Sequence, residues 1–189
     1  MIKKNWKYIV LFIVAFVISF VYEFFIARLG MDEVWCYGFA YNISKGLVPY
    51  RDFNMIITPL YSFAGSLFIK IFGNHLFSVH IFNALFLALF VTVGYKVLNK
   101  KIFILWLLSL SILYPSYNTF CVLIFCFFLF LYNKKFKHKD FVLGLIIACL
   151  FLSKQTLGIL ILPLLFFSKD RIKCLIGFLF PCLIFLIYL

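Results

Sequence analysis

Long apolar runs, each closed by a short cluster of basic residues, constrain this chain more than any other feature. The run from Tyr8 to Ala27 is about 20 residues with only Glu23 to break it, enough at 1.5 Å per residue to cross a hydrocarbon layer of about 30 Å. Inside lipid the backbone must satisfy its own hydrogen bonds, which selects helices. Composition extends the argument to the whole chain: mean hydropathy is +1.13, 66% of residues are hydrophobic and only 13% are charged. The 28 phenylalanines among 189 residues exceed what a soluble core would take in. A formal charge of +12 does not point to nucleic acid here, because the basic residues sit at the ends of apolar runs, where they act as topology signals.

Those signals assign sides. Lys3, Lys4 and Lys7 hold the N-terminus in the cytoplasm, and no small-residue cleavage pattern follows, so Tyr8 to Ala27 reads as an uncleaved first span. Residues 28–75 then form an outer loop, and Leu76 to Leu98 returns inward ahead of Lys100 and Lys101. The clusters "KKFKHK" from Lys134 and "KDRIK" from Lys169 mark two further cytoplasmic turns. Ile102 to Tyr132, about 31 residues, therefore starts and ends inside, too long for one span and short for two. It predicts a hairpin of short helices broken at "YPSYNT", where Pro115 removes a backbone donor. Phe141 to Phe167 repeats the pattern around "SKQT", and a seventh span begins at Leu175. Sorted this way, 13 basic and two acidic residues lie inside, against five and four elsewhere. The expected fold is an all-α polytopic bundle of about seven spans in the cell membrane, a single domain over 1–189 with two short hairpins.

Within the outer loop, Trp35, Phe39, Ile43 and Leu47 recur every four residues and predict an interfacial helix ended by Gly46. Thr58 and Pro59 start a second, "LYSFAGSLFIKIF", which runs to Gly73 and is too short to span. Between them "LVPYRDFNMIIT" has no period but is rich in aromatic and apolar residues, which predicts an ordered rim over an outward-facing cleft floored by the hairpin tips. Asp32 falls where an N-cap would, Glu33 suits the positive helix end, and Asp52 beside Arg51 suits a loop ion pair. Glu23 either snorkels or pairs with Arg28. Lys154, inside an apolar run, must reach water or a counter-charge, or snorkel. Of the six cysteines only Cys36 falls outside the apolar runs and is expected to meet water; His75, His80 and His138 are scattered, and nothing calls for a metal or a nucleotide.

The pair "DE" at Asp32 and Glu33, then "GLVPYRDF", "TPLYSFAGSLFIKIFG" and "LGLIIACLFLSKQTLGILILP", resemble in order a family of integral-membrane glycosyltransferases. These are the GT-C enzymes of the family 39 group that use polyprenyl-phosphate sugars, including protein O-mannosyltransferases and lipid A aminoarabinose transferases. The resemblance implies a polyprenyl-phosphate sugar as donor and a lipid, glycan or protein acceptor, with no other cofactor. It places Asp32 and Glu33 at the family's catalytic acidic pair and Lys154 near the lipid phosphate. Where many relatives carry an aspartate, this chain has Asn118, so no catalytic role passes to that position. Relatives have more spans, which implies that this chain corresponds to the front part of a larger enzyme.

Transfer from such a donor needs a base near the acceptor and cations near the leaving phosphate. Asp32 suits the first role; Arg51, Lys154 and, less directly, Lys70 suit the second. Two other classes stay open: a transporter or lipid flippase whose path is marked by Lys154 and Glu23, and a non-catalytic membrane subunit.

Overall fold

The computed structural model of the chain describes residues 2–25, 31–97 and 117–189. Among these the regular structure is helical throughout: α1 (Ile2–Phe25), α2 (Met31–Ser44), α3 (Leu60–Phe72), α4 (Leu76–Val97), α5 (Tyr117–Tyr132), α6 (Lys139–Ser153), α7 (Gln155–Ile161), a 3-10 segment (Leu162–Phe167) and α8 (Arg171–Tyr188).

α1 and α4 lie antiparallel. Tyr8 meets Tyr95 at one end with ring centroids 6.0 Å apart, and Phe24 meets Phe77 at the other at 6.5 Å. Between the ends, Ala15 packs on Ala88 and Val91, small residues that let the two backbones approach. α6 and α8 approach more closely still: a Cβ at Gly144 would run into the Cys174 carbonyl, and one at Gly177 into the Phe141 carbonyl. α2 and α3 pack on each other, α3 rests on α4, and a core of Tyr61, Phe82, Phe86, Phe90 and Leu123 joins α3, α4 and α5.

The bundle has two chemically different ends. At the Tyr8 end, Lys7 lies over the rings of Tyr8 and Tyr95, while Lys96 and Lys134 both face Phe130. At the other end lie Asp32, the 47–58 loop, Tyr117 and Lys154. α5 runs from the second end to the first, and α6 runs back.

Among the described residues, three helices are long and apolar enough to cross a membrane: α1 over Trp6–Phe25, α4 over Leu76–Lys96, and α8. Their outer faces are apolar and open, with Ile18 64% and Ile187 85% exposed, a surface suited to lipid. Against the expected seven spans, the described residues hold three helices of full length. α5 and α6, with 16 and 15 residues, rise only about 24 and 22 Å. The first half of the hairpin from Ile102, with Pro115, lies outside the described residues. The second hairpin is present: Lys154 leaves α6 in an extended conformation, and α7 doubles back so far that a Cβ at Gly158 would strike the Phe151 backbone. The last helix starts at Arg171 rather than Leu175, because the Asp170 side chain accepts a hydrogen bond from the Lys173 N–H and caps it there.

The two loop helices fall where the sequence places them, with Gly46 and Gly73 at positive φ beyond their ends. The buried face of α2 is a different one, however: Glu33, Cys36, Ala40 and Ile43 turn inward, while Trp35 and Leu47 are exposed. Close approach decides this, since a Cβ at Gly65 of α3 would lie 3.3 Å from the Ala40 Cβ. Small residues set the contact, and the large Trp35 is left outside.

Candidate functional site

The 47–58 loop is built around Asp52. One carboxylate oxygen, Oδ2, accepts from the Val48 N–H at 2.8 Å, while the Asp52 N–H donates back to the Val48 carbonyl at 2.9 Å. Tyr50, at φ +65°, donates its N–H to the Phe53 carbonyl, closing the turn. Arg51 binds the same carboxylate with Nε and Nη2, each at 2.9 Å. The guanidinium, with help from the Val48 N–H, holds the Asp52 carboxyl down at about 2. The loop then docks on the second hairpin: Thr58 Oγ1 donates to the Phe151 carbonyl at 3.1 Å, and Gln155 Nε2 to the Ile56 carbonyl at 3.3 Å. An ordered rim thus lies against the break at Lys154.

Beside that break the structure brings together residues from three distant parts of the chain. Lys154 points its ammonium at Asn118, with Nζ donating to Oδ1 at 2.6 Å, and sits 5.2 Å from the centre of the Tyr117 ring. The Tyr117 hydroxyl donates to Asp32 Oδ2 at 3.3 Å, across 85 residues of sequence. Asp32 is exposed in the first turn of α2, where the positive helix end favours its carboxylate. It lies one position inside the helix that begins at Met31, so it is not the N-cap that its spacing predicts. An exposed carboxylate and a half-buried ammonium on either side of one phenol offer a proton acceptor and an anion-binding cation within one small space.

The other sequence candidates do not converge there. Glu33 turns about 100° away from Asp32 on the helix and is buried with Tyr61, Ser62 and Asn83, which line a cavity of about 20 Å³. Arg51 stays on the rim, its Nε and Nη2 committed to Asp52 and its side chain 62% exposed. Lys70 is exposed in the last turn of α3, about 15 Å along that helix from Leu60, where it suits the negative helix end.

A second polar group sits within the bundle. Glu23 is 2% exposed and does not snorkel, while the alternative pairing with Arg28 falls outside the described residues; it accepts from Asn83 Nδ2 at 3.3 Å and lies 3.7 Å from His80 Nδ1. Asn83 Oδ1 in turn accepts from the Tyr61 hydroxyl at 3.2 Å. Cys36 packs into the same region, 6% exposed, and burial pushes its thiol up to about 12, so it does not meet water as its loop position predicts. All six cysteines are free, and no cluster of three metal-ligating groups occurs among the described residues.

Sequence reasoning passed over Tyr117 and gave Asn118 no role beyond its place in the "YPSYNT" break. The one available signal was their position at a predicted hairpin tip, the same kind of place that holds Lys154. No known family model, no curated protein and no solved structure matches the chain at a significant level.

Proposed function

We propose that this protein is a membrane glycosyltransferase that moves a sugar from a polyprenyl-phosphate donor to a lipid, glycan or protein acceptor at the outer face of the membrane. The observation that carries the reading is the convergence of Asp32 and Lys154 on Tyr117. It assembles, from residues far apart in sequence, the base and the cation that such a transfer needs. The resemblance of the "DE" pair and the "SKQT" segment to the glycosyltransferase family supports the same assignment.

In this reaction the Asp32 carboxylate accepts the proton of the acceptor hydroxyl as its oxygen attacks the anomeric carbon. The bond from that carbon to the phosphate oxygen breaks, and the negative charge left on the polyprenyl phosphate is stabilised by the Lys154 ammonium, which exchanges Asn118 for phosphate. Arg51 can join from the rim if it releases Asp52. An apolar groove of about 340 Å³ runs from Tyr50, Thr58 and Phe151 along Leu179, Leu183 and Leu186 of α8, and suits the isoprenoid tail. The membrane arrangement that goes with this function has the basic end in the cytoplasm and the Asp32 end outside. α5, α6 and the α7 segment then make short passes, six in all among the described residues, and the run from Ile102, outside them, is the seventh that the sequence leads one to expect.

Radiolabelled transfer from polyprenyl-phosphate sugars by the membrane-reconstituted protein tests the reading. Transfer that disappears in Asp32→Asn supports it. Transfer unaffected by both Asp32→Asn and Lys154→Met would remove the site.

A second reading, transport of a lipid or solute, draws on the buried Glu23, His80 and Asn83 group between α1 and α4. Ionisable groups at such depth are costly and commonly mark a path. Movement of a lipid probe across liposomes, abolished by Glu23→Gln and without covalent transfer, would favour it.

A further inference from the structure

The two opposite charges of the site both meet Tyr117 yet do not pair with each other. Among the described residues, the ion pairs are Arg51 with Asp52, His80 with Glu23 and Lys173 with Asp170; Asp32 and Lys154 do not join each other. A half-buried lysine gains from a carboxylate, and Lys154 here takes a neutral amide and an aromatic face instead. Both charges touch Tyr117, with the Asp32 carboxylate at its hydroxyl and the Lys154 ammonium over its ring, and the neighbouring Asn118 amide bonds the same ammonium.

We propose that Tyr117 is a positioning residue that holds the acid and the cation of the site apart, so that the ammonium stays available to an anionic ligand. The inference rests on the phosphate-binding role assigned to Lys154 above and specifies how that role is preserved. A phenol suits the task at both ends. Its hydroxyl gives the carboxylate a hydrogen bond that does not neutralise it, and its face attracts a cation at 5.2 Å, within the range of about 6 Å over which a ring acts. Asn118 completes the arrangement by offering Lys154 a neutral acceptor at 2.6 Å. A phosphate can displace a neutral amide more easily than it could displace a carboxylate already paired with the lysine. Tyr117 is half-buried at the start of α5, with Phe120 one turn on against Tyr61, which fixes the direction of the phenol.

The test is a binding cycle with a polyprenyl phosphate of about eleven isoprene units as probe, on the full chain in nanodiscs of zwitterionic lipid. Tyr117→Phe keeps the ring under the ammonium but loses the hydrogen bond to Asp32, and should weaken binding less than removal of the ring does. Tyr117→Leu removes the barrier, lets Lys154 close on Asp32, and should weaken binding about tenfold or more. The diagnostic arm is Tyr117→Leu with Asp32→Asn, in which the lysine has no carboxylate to pair with. Binding should recover most of the loss, and the gain from Asp32→Asn should be larger than in the wild type. A structural role for the ring would not produce that recovery. If Tyr117→Leu does not accumulate in membranes, Tyr117→Met serves in the same cycle. Wild-type affinity in the Leu or Met variant, or a loss that Asp32→Asn does not restore, overturns the inference while leaving the phosphate role of Lys154 in place. Absence of probe binding by the wild type, or binding unchanged in Lys154→Met, overturns the phosphate role itself and this inference with it.

Discussion

Two neighbouring acids in one helix turn show how far residue type can be separated from residue role. Asp32 and Glu33 look equivalent in the sequence, yet one faces the Tyr117 hydroxyl in the open and the other is buried against α3 and α4. Asp32→Asn removes a carboxylate at the positive end of α2, an interaction of about 0.3–1 kcal/mol, so the protein should accumulate normally. Transfer should nevertheless fall by roughly two to four orders of magnitude, the scale of a lost general base. Glu33→Gln changes a group that lines a buried cavity, and its effect should appear first in folded yield, measured by size-exclusion chromatography in detergent. If Glu33→Gln abolishes transfer with normal yield while Asp32→Asn does not, the base has been placed one residue too early. Lys154→Met should raise the KM for the donor more than it lowers accumulation in the membrane, because Gln155 still ties the hairpin tip to the Ile56 carbonyl and Thr58 still ties it to the Phe151 carbonyl. Failure to accumulate would make the lysine structural.

At the scale of elements, glycine contacts and loop ties decide the packing. Gly144→Leu places a side chain where the Cys174 carbonyl already lies, so α6 and α8 must separate. Overpacking of that kind costs about 1–3 kcal/mol or more and should lower the midpoint of thermal unfolding in detergent. Gly38→Ala is the matching control: nothing lies within 4 Å of a Cβ there, and alanine in a helix should leave stability equal or slightly raised. The 47–58 loop makes a pH prediction. Because Arg51 and the Val48 N–H hold the Asp52 carboxyl at about 2, below its unfolded value of about 4, the loop's tie is complete above pH 4 and is lost as pH falls toward 2. Protection of the Val48 and Tyr50 amides, read as hydrogen exchange relative to the intrinsic rate at each pH, should fall over that window, and at neutral pH in Asp52→Asn. Exchange that ignores both changes would show that the loop is held by its docking on Phe151 and Gln155 alone. The helices themselves were largely legible in the sequence, since Gly46, Pro59, Gly73 and "SKQT" punctuate the chain by local backbone chemistry. The buried face of α2 was not, because Gly65 chose it from another helix, and neither was the partner of Asp32, because a contact across 85 residues leaves no local period.

For the whole molecule the decisive question is which end faces the cytoplasm. In a background lacking native cysteines, a cysteine at Gln155 should react with a membrane-impermeant thiol reagent from outside, and one at Lys135 only from within. The reverse pattern would invert the topology and detach the site from an outer acceptor. Side assignment rests on charge counts that sequence displays openly, whereas the count of crossings depends on helix lengths and on residues 98–116. The basic end carries a further consequence. Lys7, Lys96 and Lys134 crowd around Tyr8, Tyr95 and Phe130, and no acidic side chain pairs with them among the described residues. Their mutual repulsion is left for the bilayer to relieve. Anionic headgroups gathered at that rim supply the missing negative charge, at about 1 kcal/mol for each basic residue near the surface. The protein should therefore withstand more heat in vesicles containing phosphatidylglycerol than in phosphatidylcholine alone, with the difference shrinking as salt is raised. In that sense the leaflet acts as a structural component of the fold.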